Sequence, residues 1–183
     1  MSRIPYLLIA DDAPDTLTMM EAATRLRGWR CETATSPEEI ERAVNLRCDG
    51  PESERDCFDA LVLDIHYKTA ESRQTGISIV RPIRRRWPQL PIIFITAFTS
   101  MLVRNEALEV GQELITKPFD PAFVLDRVQS WIDWAGQHAY RGAERRKFGI
   151  NRSHHYRRAS DRRVEIAPAI RAVKAHHTTK GAG

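Results

Sequence analysis

An open, doubly wound α/β sheet of five parallel strands is the fold class this sequence predicts, on three observations. Short, almost uninterrupted apolar runs recur at residues 6–10, 60–63, 92–95 and, in shorter form, 114–115, the pattern of strands buried on both faces. Helix-start and helix-stop residues fill the stretches between them, and strict alternation of strand and helix implies a parallel sheet covered on both sides. The apolar runs also close on polar residues: Asp11 and Asp12, Asp64, Thr96 and Lys117. In such a sheet, ligands bind outside the carboxyl ends of the strands.

The elements follow in order. Pro14 stands where a first helix can begin, Leu17, Met20 and Leu26 supply apolar positions, and Gly28 ends it. Residues 31–34 form the second strand. Ser36 then caps a helix that has Pro37 at its first position, Glu39 at the capping-box position and an end near residue 46. The third strand ends at Asp64, and a helix from 77 to about 87 follows before Pro88 and Pro91 bracket the turn into strand four. A helix at 101–109 and then Gly111 lead to the short fifth strand, after which Asp120 and Pro121 start a long last helix through Trp131 and Trp134. The expected strand order is 2-1-3-4-5, whose switch point beside strands one and three brings Asp11, Asp12 and Asp64 together.

At 183 residues and 42% hydrophobic content the chain can bury one proper core, with room for an appendage. No apolar stretch approaches the roughly 18 residues of a membrane span, and the N-terminus lacks the basic and apolar regions of a signal peptide, so a cytoplasmic protein is expected. Cys31, Cys48 and Cys57 are odd in number and form no CxxC pair, which suits reduced thiols, with a Cys48–Cys57 bridge as the disfavoured alternative. Charge is divided unevenly. Residues 1–140 carry a net −5 and residues 141–183 a net +9, so the expected organisation is a globular domain over 1–140 and a basic, largely disordered tail over 141–183 that points to an anionic partner.

Three carboxylates crowded at one crevice repel one another unless a cation lies between them, and all-oxygen ligands favour Mg2+. The Lys117 ammonium and the Thr96 hydroxyl suit the oxygens of a phosphoryl group. No GxxxxGK[ST] loop follows any strand, so a nucleoside triphosphate has no cradle and the phosphoryl group would come from another protein. A carboxylate can be its nucleophile.

At Ile9-Ala10-Asp11-Asp12, Leu63-Asp64, Ile95-Thr96-Ala97 and Lys117-Pro118-Phe119, the chain resembles the receiver domain of two-component response regulators, a flavodoxin-like fold. The likeness runs from about residue 6 to about residue 135. It implies that Asp64 is the phosphoacceptor, Asp12 a direct Mg2+ ligand and Asp11 a ligand through water, with the backbone carbonyl of His66 completing the metal shell. Thr96 and Lys117 would bind phosphoryl oxygens. The implied donor is a phosphohistidine on a sensor histidine kinase or phosphotransfer protein, and the implied output is protein–protein contact, with a homodimer as one form. Such a protein is not an enzyme in the ordinary sense: it catalyses transfer onto its own Asp.

Two features depart from the family pattern. Lys68 stands where a Pro is usual four residues after the acceptor, and the Gly usual about eight after is delayed to Gly76, so the insertion at 65–75 must border the phosphoryl pocket. Leu114 stands three residues before Lys117, where many receivers carry a switching Tyr or Phe. A second insertion, 47–56, enters strand three from its amino end and is expected opposite the site.

Each residue also has a plainer reading. Asp12 could cap the helix at Pro14, Lys117 could merely pair with Asp64 in an inactive pseudo-receiver, and the His66 side chain is expected to be exposed. Val124, Val128, Trp131 and Trp134 read as core or helix-interface residues. The tail pairs Arg145-Arg146, Arg157-Arg158 and Arg162-Arg163, interleaved with Phe148 and Tyr156, suit an RNA, DNA or acidic-protein partner, or a solvated tail. A nucleic-acid-binding regulator and a small Mg2+-dependent phosphatase are the competing functions. The phosphatase lacks a separate general acid or base.

Overall fold

The computed structural model describes residues 3–48, 56–67, 75–97 and 100–147, with backbone only in 138–147. Residues 1–135 form one compact unit. Lys68 and most of its insertion, the middle of the 47–56 insertion, positions 98 and 99, and the tail beyond 147 with its later Arg pairs lie outside the described residues.

The elements are β1 (Tyr6–Ala10), α1 (Pro14–Leu26), β2 (Arg30–Ala34), α2 (Pro37–Cys48), β3 (Ala60–Asp64), α3 (Gly76–Arg86), β4 (Ile92–Thr96), α4 (Met101–Val110), β5 (Glu113–Thr116) and α5 (Pro121–Lys147). The strands form one sheet in the order β2-β1-β3-β4-β5, and every pairing is parallel. This is the expected architecture. β1, β3 and β4 are buried along their whole length, because helices cover both faces of the sheet.

Alternation along the strands sorts the core into two layers. Tyr6, Leu8, Ala10, Leu61, Leu63, Ile92 and Phe94 pack with residues of α2, α3 and α4 in one cluster. Leu7, Ile9, Val62, Ile93 and Ile95 point the other way, where Leu17, Met20, Val124, Leu125, Val128 and Trp131 are buried. The core readings of Val124, Val128 and Trp131 hold, and Trp131 meets Trp134 edge to face at 5.8 Å.

Helix starts follow local chemistry. Ser36 Oγ accepts from the Glu39 amide at 3.3 Å, while the Glu39 carboxylate reaches back to the Thr35 amide at 2.6 Å, one residue earlier than the reciprocal bond of a capping box. Thr75 and Ser78 form that box at α3. Gly28 ends α1 with φ +71°, a left-handed conformation that costs glycine little. Arg84 of α3 is half-buried and, among the described residues, bonds to neutral acceptors: the carbonyls of Val110, Pro88 and Leu90 and the Gln112 side chain, at 2.8–2.9 Å. Burial pushes its pKa down to about 10, so it stays charged at neutral pH while tying α3 to α4 and the entry of β4.

One expectation is overturned. Cys48 and Cys57 are joined by a disulfide, with Cα atoms 4.5 Å apart, and Cys31 alone keeps a free thiol. α2 runs two residues beyond its expected end, to Cys48. Its last turn and the lead-in to β3 meet at the amino edge of the sheet, where both cysteines fall side by side.

Candidate functional site at the carboxyl edge of the sheet

Register assembles the site. Ala10 pairs with Leu63, Asp64 with Ile95, and Thr96 with Thr116, so Asp11, Asp64, Thr96 and Lys117 emerge at successive strand ends of one edge. The Lys117 amide donates to the Thr96 carbonyl at 2.8 Å, which carries the last pair of strands one residue past the sheet.

One ammonium holds two carboxylates. Lys117 Nζ donates to Asp11 Oδ2 at 2.5 Å and to Asp64 Oδ2 at 2.7 Å. Asp11 Oδ1 accepts from the Ala13 amide at 2.9 Å, and Asp64 Oδ1 accepts from the amides of Ile65 at 2.6 Å and His66 at 3.2 Å. Asp12 completes the group: one carboxylate oxygen from each of Asp11, Asp12 and Asp64 lies within 4.8 Å of the others. Asp11 and Thr96 are fully buried and Asp64 is 5% exposed, so these oxygens are largely withdrawn from bulk water.

The electrostatics follow from that crowding. Burial raises the Asp11 carboxyl above its ordinary range, and the Asp64 charge adds to the rise, against the bonds from Lys117 and Ala13. Burial lowers the Lys117 pKa, but its bonds to Asp11 and Asp64 outweigh that effect and hold the ammonium above its ordinary value. Two carboxylates on one ammonium, with a third beside them, place more negative than positive charge among these four residues. All-oxygen donors with that excess fit a hard divalent cation such as Mg2+.

The plainer readings fare unequally. The N-cap of α1 is Ala13, with no side-chain cap bond, so Asp12 is not the cap of that helix. Lys117 does pair with Asp64, but it is shared with Asp11. The His66 side chain is exposed. Leu114 is buried in β5, so no aromatic ring occupies that place.

Two residues at the site were not recognised from sequence in their structural roles. A Cβ at Gly76 would fall 2.1 Å from the Asp64 carbonyl oxygen, so α3 can start against the acceptor strand only with glycine there. The Gly76 amide donates to the Ile65 carbonyl at 2.9 Å, which closes the base of the 65–75 insertion. Tyr67 packs against the core, and its hydroxyl donates to the Ala10 carbonyl at 3.4 Å. An aromatic within a mostly polar insertion was the available signal.

Comparison with known proteins agrees with this fold. Residues 7–129 match the family model described as the response regulator receiver domain. The chain is 29% identical over 141 residues to the transcriptional regulatory protein PrrA of Mycobacterium tuberculosis, covering 76% of this chain and 55% of that protein. It thus spans about half the length of the PrrA relatives it matches. In fold it is similar to a CheY-like response regulator receiver domain protein from Methanospirillum hungatei, with TM-score 0.62, 18% identity, and coverage of 74% of this chain and 99% of that one. It is also similar to the beryllofluoride-activated NtrC4 receiver domain dimer, with TM-score 0.60, 21% identity, and coverage of 71% and 98%.

Proposed function

The chain belongs to the response regulator receiver domain family, and from that premise we propose that Asp64 accepts a phosphoryl group from a phosphohistidine of a sensor histidine kinase or phosphotransfer protein. The observation that carries the reading is the single ammonium of Lys117 bonded to both Asp11 and Asp64 beside a third carboxylate. An oxygen of Asp64 attacks phosphorus, the bond from phosphorus to the donor imidazole breaks, and the imidazole leaves with the bonding pair. The product is an acyl phosphate on this chain, which is the sense in which the family accepts phosphoryl groups without being an ordinary enzyme.

Each residue has a task in that transfer. The Ile65 and His66 amides hold Asp64 Oδ1 in place, leaving Oδ2, now on Lys117, as the oxygen to be exchanged for a phosphoryl bond. Lys117 then turns its ammonium to a phosphoryl oxygen, and Thr96, at the neighbouring strand end, offers its hydroxyl to another. Asp11, Asp12, Asp64 and the carbonyl of His66 would hold Mg2+. Bound there, the ion supplies positive charge against the phosphoryl oxygens.

Acyl-phosphate formation takes Lys117 away from Asp64 and draws Thr96 inward, which is a local electrostatic event able to shift the surrounding loops. With Leu114 in place of an aromatic, that shift proceeds without a ring flip. Output is read by protein–protein contact near α4, where Met101 and Leu102 are exposed, and homodimerisation is one form of it. No helix among the described residues is long and apolar enough to cross a membrane, and a cytoplasmic site of action fits the reading. The basic tail serves an anionic partner.

The deciding experiment is intact-protein mass after incubation with acetyl phosphate, with and without Mg2+, beside Asp64→Asn. A Mg2+-dependent gain of one phosphoryl mass that the substitution abolishes is expected. An unlabelled parent chain that nevertheless binds its partners would make it a phosphorylation-independent pseudo-receiver.

A further inference from the structure

Tyr67 connects two pieces of backbone that the site needs at a fixed separation. Its hydroxyl donates to the Ala10 carbonyl at 3.4 Å, and its ring packs against the core cluster that contains Ala10, Leu63 and Ile65. Ala10 immediately precedes Asp11 and Asp12, while Tyr67 immediately follows His66 and lies three residues after Asp64. One side chain therefore spans from the segment carrying two of the carboxylates to the segment carrying the third.

Three other restraints on the segment after β3 are internal to it. Asp64 Oδ1 holds the amides of Ile65 and His66, and the Gly76 amide holds the Ile65 carbonyl; none of these reaches β1. Lys117 does bridge Asp11 and Asp64, but phosphoryl transfer requires its ammonium elsewhere. The β1–β3 ladder ends with Ala10 paired to Leu63, and Tyr67 is placed to extend that spacing into the segment beyond it when Lys117 lets go.

We propose that Tyr67 is a positioning residue, clamping the start of the 65–75 insertion onto the end of β1 and thereby setting the separation between the two halves of the carboxylate set that binds Mg2+. The inference rests on the reading of Asp11, Asp12 and Asp64 as the metal site, and it adds a residue from this chain's own insertion to that site. Groups that orient ligands act on affinity more than on the intrinsic chemistry once the ion is bound.

The test uses the full chain and its Tyr67→Phe and Tyr67→Leu variants. Mg2+ affinity is measured by calorimetric titration, labelling by acetyl phosphate is followed against Mg2+ concentration, and thermal unfolding reports the fold. In Tyr67→Phe, Mg2+ affinity is expected to fall about three- to tenfold while the labelling rate at saturating Mg2+ stays near that of the parent. A merely structural Tyr would lower Tm and leave Mg2+ affinity within about twofold, and that result in Tyr67→Phe overturns the proposal, whatever becomes of the more disruptive Tyr67→Leu. A parent that binds Mg2+ but is not labelled refutes the phosphoacceptor role of Asp64 and leaves the Tyr67 comparison intact. A parent that binds no Mg2+ overturns the clamp as well.

Discussion

The two edges of the sheet carry similar charged residues arranged to opposite ends. At the amino edge, Arg30 bonds Asp56, Arg3 lies near both Asp56 and Asp59, and Arg47 bonds Glu32 at 3.2 Å. Three guanidinium groups there meet three carboxylates. Tyr6 joins them through a 2.7 Å bond to Glu32 and the Arg30 guanidinium over its ring, its phenol pushed up to about 12 by burial and by that bond. At the carboxyl edge, Asp11 and Asp64 share the Lys117 ammonium, with the Asp12 carboxylate beside them. A partly exposed network of paired charges satisfies itself and is screened by salt, whereas carboxylates crowded in a largely buried crevice suit a cationic ligand. The contrast separates a structural edge from a chemical one.

Substitutions can sharpen that separation. The largest effect should come from Lys117→Ala, which removes the donor shared by both carboxylates: phosphoryl transfer to Asp64 should slow roughly 10²-fold, read as mass gain over time. Gly76→Ala comes next, since its methyl group must displace the Asp64 carbonyl. A loss of roughly 3 kcal/mol in denaturant unfolding is expected, together with impaired labelling. Labelling at the parent rate in a folded Gly76→Ala would show that the acceptor strand tolerates movement.

The amino edge should behave otherwise. Opening the Cys48–Cys57 bridge with Cys57→Ser should lower the unfolding free energy by about 2.5 kcal/mol, the chain-entropy value for so short a loop, and leave Mg2+-dependent labelling unchanged. A labelling defect in the folded variant would couple the two edges and break the comparison.

The smallest effect has the more instructive sign. The Asp11 carboxyl titrates above its ordinary 3.8 in the folded chain, so the folded state holds that proton more tightly than the unfolded state does. Its ionisation therefore costs stability at pH values above the folded pKa, and the cost disappears as pH falls through that value to below 3.8. Asp11→Asn should raise Tm by a few degrees at pH 7, converge with the parent in acid, and lose most of the Tm gain that Mg2+ gives the parent. A lower Tm at pH 7 would mean that the Lys117 bond outweighs the crowding.

Much of this was legible in the chain because the determinants are local. The apolar runs ending at Ala10, Leu63 and Ile95 specify strands buried on both faces, and Pro14, Ser36, Asp120 and Pro121 mark helix starts through backbone chemistry that needs no tertiary partner. The polar residues closing those runs follow directly, since parallel strands bring their carboxyl ends to one edge. What only the tertiary structure decided are relations between residues distant in sequence or hidden by an insertion. The two extra residues of α2 bring Cys48 beside Cys57, and spacing alone does not report the meeting of a helix end with a strand lead-in. Gly76 meets the Asp64 carbonyl across an 11-residue insertion that no periodicity describes, and Tyr67, near the start of that insertion, reaches Ala10 on another strand. The sharing of Lys117 between Asp11 and Asp64, rather than its pairing with one of them, depends on distances set by packing of the whole sheet, which no single stretch of sequence contains.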